Sequence, residues 1–129
     1  MVDIREQSPL AMAFVGDAVY SLLIREYLVK HKRYKINTLN QLSVKYVSAR
    51  GQFMALNILQ NVLTDEEKQM VKRGQNTSKA TVAKNATVEE YRASTGFECM
   101  LGWLKLTDQD ERIEYLVDYI INNLQFENQ

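Results

Sequence analysis

Apolar residues recur at helical spacing along most of the chain. From Leu10 to Leu28 they take so many positions, Phe14, Val15, Val19, Leu22, Leu23 and Ile24 among them, that the stripe widens into a mostly buried helix. Ser8 followed by Pro9 supplies its N-cap and first position, and the basic run HKRYK at 31–35 its exit. A second helix is predicted from near Asn37 or Thr38, with Leu39, Leu42, Tyr46, Val47, Phe53, Met54 and Ile58 at a spacing of three to four and Gly51 placed to bend or divide it. Thr64 and Glu67 form a capping box for the short helix DEEKQMVKR at 65–73, which Gly74 should stop. The stretch 74–87 has no apolar period and reads as a polar loop. Thr87 with Glu90 opens a helix through Tyr91, Phe97, Leu101, Trp103 and Leu104. Asp108 with Glu111 repeats the signal for a last helix carrying Ile113, Leu116, Val117, Ile120, Ile121 and Leu124, and the tail after Phe126 should fray. With no alternating strand and no internal repeat, the expected fold is all-α, in one domain spanning 1–129.

Composition narrows this little: 129 residues, 46% apolar and 25% charged, are ordinary for one globular domain with one core. The single cysteine, Cys99, excludes an internal disulfide framework and a cysteine-based zinc site, and suits a reducing, cytoplasmic setting. No stretch approaches the roughly 18 apolar residues of a membrane span.

Charge changes the picture more. The formal net charge is zero, yet residues 25–84 carry twelve Lys/Arg against four acids, a net of +8, while residues 85–129 carry three bases against nine acids. A basic middle suits an anionic partner such as nucleic acid; a mosaic surface rebalanced by folding is the plainer account, and charge alone does not separate the two. Lys72, Arg73, Lys79 and Lys84 lie in or just before the polar loop, where they could contact phosphate or simply be solvated.

Two acids stand out. Asp17 lies in AFVGDAVYSLLI and Glu98 in STGFECMLGWL, both apolar and both within predicted helices, where a carboxylate is costly unless paired, hydrogen-bonded or bound to a metal. Small residues flank each: Ala13, Gly16 and Ser21 around Asp17, and Ser94, Thr95 and Gly102 around Glu98. Two helices meeting along these small faces would bring the acids together, and a cation is the usual remedy for two adjacent carboxylates. Oxygen donors without histidine or cysteine favour magnesium or manganese over zinc. On spacing alone, an Arg, Lys or backbone partner for each acid explains the pattern as well. His31 sits in the basic exit and reads as solvated, Cys99 as a core filler, and Trp103 as core.

GDAVY at 16–20 resembles the ribonuclease III catalytic-domain signature in which a Gly-Asp-Ala step carries the catalytic aspartate. FECMLGWL at 97–104 resembles the second signature, with its glutamate before an apolar-apolar-glycine step, and VSARGQ at 47–52 the segment between. The short length and KRGQN at 72–76 before a polar loop make the chain similar to the mini-ribonuclease III branch, which lacks a double-stranded-RNA-binding domain. The resemblance implies a helical homodimer, with Asp17 and Glu98 as catalytic metal-binding residues and magnesium, or manganese, as cofactor. It implies cleavage of double-stranded RNA, with maturation of the 5′ and 3′ ends of precursor 23S ribosomal RNA as the biological task and a ribosomal protein on the substrate as a further partner. RNA contact is expected from Arg73, Lys79 and Lys84, then from Lys72, Asn76 and Arg50. Larger relatives carry further acids where this chain has Ala13 and Thr95, so its acidic site is thinner. A non-catalytic duplex-RNA- or ribosome-binding module on the same fold is the alternative, and a helical scaffold that binds only protein is a more distant one.

Overall fold

The computed structural model describes residues 1–78 and 86–126; Lys79 and Lys84 lie outside the described residues. After a 3-10 turn at Ile4–Glu6 come six helices: α1 (Pro9–His31), α2 (Ile36–Val47), α3 (Ala49–Ile58), α4 (Asp65–Thr77), α5 (Val88–Leu106) and α6 (Asp110–Asn123). Among the described residues there is no strand, and the expected all-α class holds.

The local signals act where they are written. The Ser8 hydroxyl accepts from Ala11 N at 3.1 Å with Pro9 in the first turn. Both Thr–Glu capping boxes form, Thr64 with Glu67 and Thr87 with Glu90, each satisfying two backbone donors at a helix start. Three expectations fail for physical reasons. Gly74 does not stop α4, which runs on to Thr77; a Cβ there would lie 2.7 Å from Gly96 Cα and 2.8 Å from Cys99 Cβ, so this glycine lets α4 and α5 touch. Asp108 is not the cap of the last helix. It takes a left-handed φ of 60° in the turn after α5, and α6 starts from Gln109 with no side-chain cap. The second helix is broken not at Gly51 but at Ser48, whose extended backbone ends α2 and whose hydroxyl caps α3 by accepting from Gly51 N at 3.1 Å. Gly51 is needed beside that break because a Cβ would collide with the carbonyls of Lys45 and Tyr46.

α5 is the centre of the molecule. Ten of its residues are buried, including Phe97, Cys99, Met100, Leu101 and Leu104, which take up nearly every side of the helix. α1 packs on it through Met12, Ala13, Gly16, Tyr20 and Ile24, spaced by three and four. Tyr20 meets Phe97 edge-on, with ring centroids 4.9 Å apart at 85°, a geometry worth about 0.5–1.5 kcal/mol beyond the area it buries. The core continues through Leu56 and Leu59, Met70 and Val71, and Ile113, Leu116 and Ile120.

Candidate active site

The approach of α1 to α5 is backbone against backbone. A Cβ on Gly16 would strike the carbonyl of Glu98 and sit 2.8 Å from Gly102 N. A Cβ on Gly102 would strike the carbonyl of Met12 and sit 3.1 Å from Gly16 N. Reciprocal glycines thus set the helices at the closest spacing their main chains allow, one residue before Asp17 and four residues after Glu98. Tyr20 and Phe97, three residues after one acid and one before the other, fix the register.

The two carboxylates meet in this crossing but differ in environment. Asp17 is exposed, on the outward side of α1 that also leaves Phe14 in solvent, so the burial cost that its apolar neighbours suggest is not incurred. Glu98 is mostly buried. Its carboxyl is pushed up to about 8, chiefly by burial; the Gln52 amide works against that shift, and Asp17 beside it adds to it through charge and hydrogen bonding. Among the described residues neither acid has an ion-pair partner. Glu98 Oε2 accepts from Gln52 Nε2 at 3.1 Å.

Glu67 shows what a satisfied buried carboxylate looks like in the same molecule. It is 2% exposed. Arg112 donates from Nε to its Oε2 and from Nη2 to its Oε1, each at 2.8 Å, and Thr64 N donates to Oε1 at 2.8 Å. Burial raises its carboxyl, and the arginine and capping hydrogen bonds more than offset that, leaving it below its ordinary value. Glu67 is built to be charged without help, whereas Glu98 with Asp17 is not.

The chemistry of the donors fits a hard divalent cation: two carboxylates, one reached by solvent, with no thiol or imidazole aimed at them. No group of three or more His, Cys, Asp or Glu placed to hold an ion occurs among the described residues, so protein ligands are few. At the two thinned positions, Ala13 is buried in the α1–α5 contact, and Thr95 turns its hydroxyl to the carbonyl of Tyr91 at 3.1 Å and to Ser78 Oγ at 3.3 Å.

Of the predicted RNA-contacting residues, Lys72, Arg73 and Asn76 are exposed on the last turns of α4, the part that crosses α5 at Thr95, Gly96 and Cys99. The guanidinium of Arg73 is close enough to act on the Cys99 thiol, though burial dominates there and pushes it up to about 11. Arg50 is on α3, its side chain 75% exposed and 3.9 Å from Glu90. His31 is exposed and stacked on Tyr27, away from both acids in the last turn of α1. Gln52 was missed from sequence. Its signal was weak: one amide near a predicted helix break, 46 residues from its partner.

A family model described as the ribonuclease III domain matches residues 10–109, spanning α1 through α5 and both acids. This chain belongs to the ribonuclease III family. A mini-ribonuclease 3 of Streptococcus pneumoniae is 45% identical over 97% of this chain and 99% of its own length. One from Enterococcus faecalis is 44% identical over 96% of each chain. A crystal structure of a Fusobacterium nucleatum protein superposes with a TM-score of 0.86 at 34% identity, over 95% of this chain and all of that one. Membership makes the chain an endoribonuclease of the ribonuclease III type.

Proposed function

We propose that this ribonuclease III family member is a divalent-metal-dependent endoribonuclease that cuts double-stranded RNA at Asp17 and Glu98, and that its biological substrate is precursor 23S ribosomal RNA, matured at its 5′ and 3′ ends in the cytoplasm. The observation that carries the reading is the unneutralised pair: a mostly buried Glu98 against Asp17, held at a crossing of reciprocal glycines, in a molecule that supplies Arg112 to its buried Glu67.

The residues divide the work by environment. Glu98 holds one fixed position deep in the crossing. Asp17, on the solvent side, would share the cation with the incoming phosphate, which its own negative charge repels without one. Asp17 and Glu98 would hold the magnesium or manganese ion, which when bound would supply Lewis acidity for the attacking water and the phosphate oxygens. The protein adds orientation, since the backbone contact at Gly16 and Gly102 leaves the two carboxylates little freedom to separate. Lys72, Arg73, Asn76 and Arg50, with Lys79 and Lys84 of the following segment, would hold phosphates flanking the minor groove of A-form RNA.

A second copy of the chain completes the reading. α1 leaves Leu10, Phe14, Leu22 and Val29 exposed, Phe14 at 81%. Phe14 lies one turn before Asp17, so a homodimer built on this stripe would bring two sites near one seam, one for each strand of a duplex. A ribosomal protein bound to the precursor could present the substrate.

The alternative, a non-catalytic duplex-binding module, predicts the same RNA affinity but no use for a metal at Asp17. Incubating the protein with a long RNA duplex, first with magnesium and then with excess chelator, separates the two. The enzyme cuts in the first condition and only binds in the second; binding without cleavage in both would overturn the proposal.

A further inference from the structure

Gln52 is 2% exposed and holds a constrained position. Its Nε2 donates to two acceptors at once, the carbonyl of Val47 at 2.9 Å and Oε2 of Glu98 at 3.1 Å, while its Oε1 is buried with no hydrogen-bond partner. Turning the amide over would take Nε2 off the Val47 carbonyl and press Oε1 against it, and a carbonyl has no hydrogen to donate. A buried acceptor left unpaired is a standing cost and calls for an explanation.

The local fold is arranged around this amide. Val47 is the last residue of α2, so its carbonyl is one of the groups that a helix end leaves without an intrahelical partner. Ser48 breaks the chain there and caps α3, and Gly51 lets the start of α3 lie against the carbonyls of Lys45 and Tyr46. Gln52 follows at once, anchored at one end on α2 and reaching α5 with the same nitrogen.

We propose that Gln52 is a positioning residue for Glu98: its amide, clamped on the Val47 carbonyl, occupies one oxygen of Glu98 and so leaves a single, fixed oxygen for the divalent cation. This inference rests on the metal-dependent reading above and adds how Glu98 is held in it. Groups that orient metal ligands without touching the ion typically cost about 10–100-fold in metal affinity or activity when removed. The competing account is that Gln52 only satisfies the end of α2. That account predicts lost stability with metal binding unchanged.

The test compares wild type with Gln52→Met, which is similar in length and apolar and lacks the donor. Manganese binding is measured by electron paramagnetic resonance on RNA-free protein, alongside kcat and KM for duplex cleavage and thermal unfolding in chelator. The expected result is manganese binding weaker by about tenfold or more and a fall in kcat of similar size, with KM for RNA within about twofold of wild type. A variant that binds manganese and turns over as wild type does would overturn the proposal, whatever its unfolding temperature. If Gln52→Met does not fold, Gln52→Asn, one methylene too short to reach both acceptors, carries the same expectation and the same refuting result. Failure of the metal-dependent reading looks different: the wild type itself would bind no manganese, or would cut equally well in chelator.

Discussion

Glu98→Gln should make the metal-free protein more stable at alkaline pH, although it removes one of the two proposed metal ligands. Burial first, and Asp17 beside it, raise the carboxyl from 4.5 to about 8 against the opposing pull of the Gln52 amide. The folded state therefore keeps the Glu98 proton between pH of about 4.5 and 8, where the unfolded chain has released it. Stability falls as pH rises through that window, because the folded state binds more protons there than the unfolded one. Below the window both states are protonated, and above it both are charged, so the loss is complete and constant. Every tenfold difference in proton affinity between the two states is worth about 1.36 kcal/mol, which puts the full cost at roughly 3–5 kcal/mol, the lower end allowing for water that still reaches the carboxylate. Glutamine carries no charge at any pH and keeps an oxygen for Gln52. In chelator, at fixed protein concentration, urea unfolding at pH of about 5, 6.5 and 8 should give nearly equal stabilities for the two proteins at the lowest pH. The variant should be ahead by a few kcal/mol at the highest. Magnesium at that alkaline pH should then stabilise wild type and leave the variant unmoved. Parallel pH curves, or a variant less stable than wild type at the alkaline end, would refute the claim that Glu98 is a buried acid without a counter-charge.

Other perturbations probe the frame around it. Gly16→Ala sets a methyl against the Glu98 carbonyl, and no flexible side chain can yield, so stability should drop by about 1–3 kcal/mol or more and cleavage should fall further than duplex binding; melting and cleavage both unchanged would mean that the helices are not in backbone contact. Arg112→Met strands the buried Glu67 charge and should cost about 3–5 kcal/mol in urea unfolding, with Glu67→Gln in the same chain recovering part of it; a loss below about 1 kcal/mol would mark the pair as solvent-screened. Replacing Lys79 and Lys84 with alanine should raise the RNA concentration needed for cleavage. It should also flatten the logarithmic salt dependence, its slope falling by about one for each phosphate the protein no longer neutralises; no change in either removes that segment from the RNA surface.

What could be read from the sequence was largely what is encoded within one or two turns of helix. Ser8 and Pro9, and the Thr64–Glu67 and Thr87–Glu90 boxes, satisfy donors three residues away, so they mark their helix starts correctly. Gly74 and Asp108 mislead because the same residue types serve two ends: glycine stops a helix or admits a neighbour, and aspartate caps a start or takes a left-handed turn. Only the chain that packs there decides, and for Gly74 that chain is α5. Asp17 misleads about depth because a helix surrounded by apolar residues in sequence still has one face outward. The small residues beside both acids did signal a close crossing. The Gln52 bond to Glu98 and the Arg112 bonds to Glu67 span 45 or 46 residues and leave no local pattern.

The central claim is that Asp17 acts in cleavage and not in folding or RNA recognition. Asp17→Asn removes one negative charge from an exposed position and changes almost no volume, so the protein should fold, assemble and shift a long RNA duplex in a gel as wild type does. In magnesium it should leave that duplex uncut under conditions where wild type digests it completely. Cleavage by the folded variant at a rate near wild type would contradict the account.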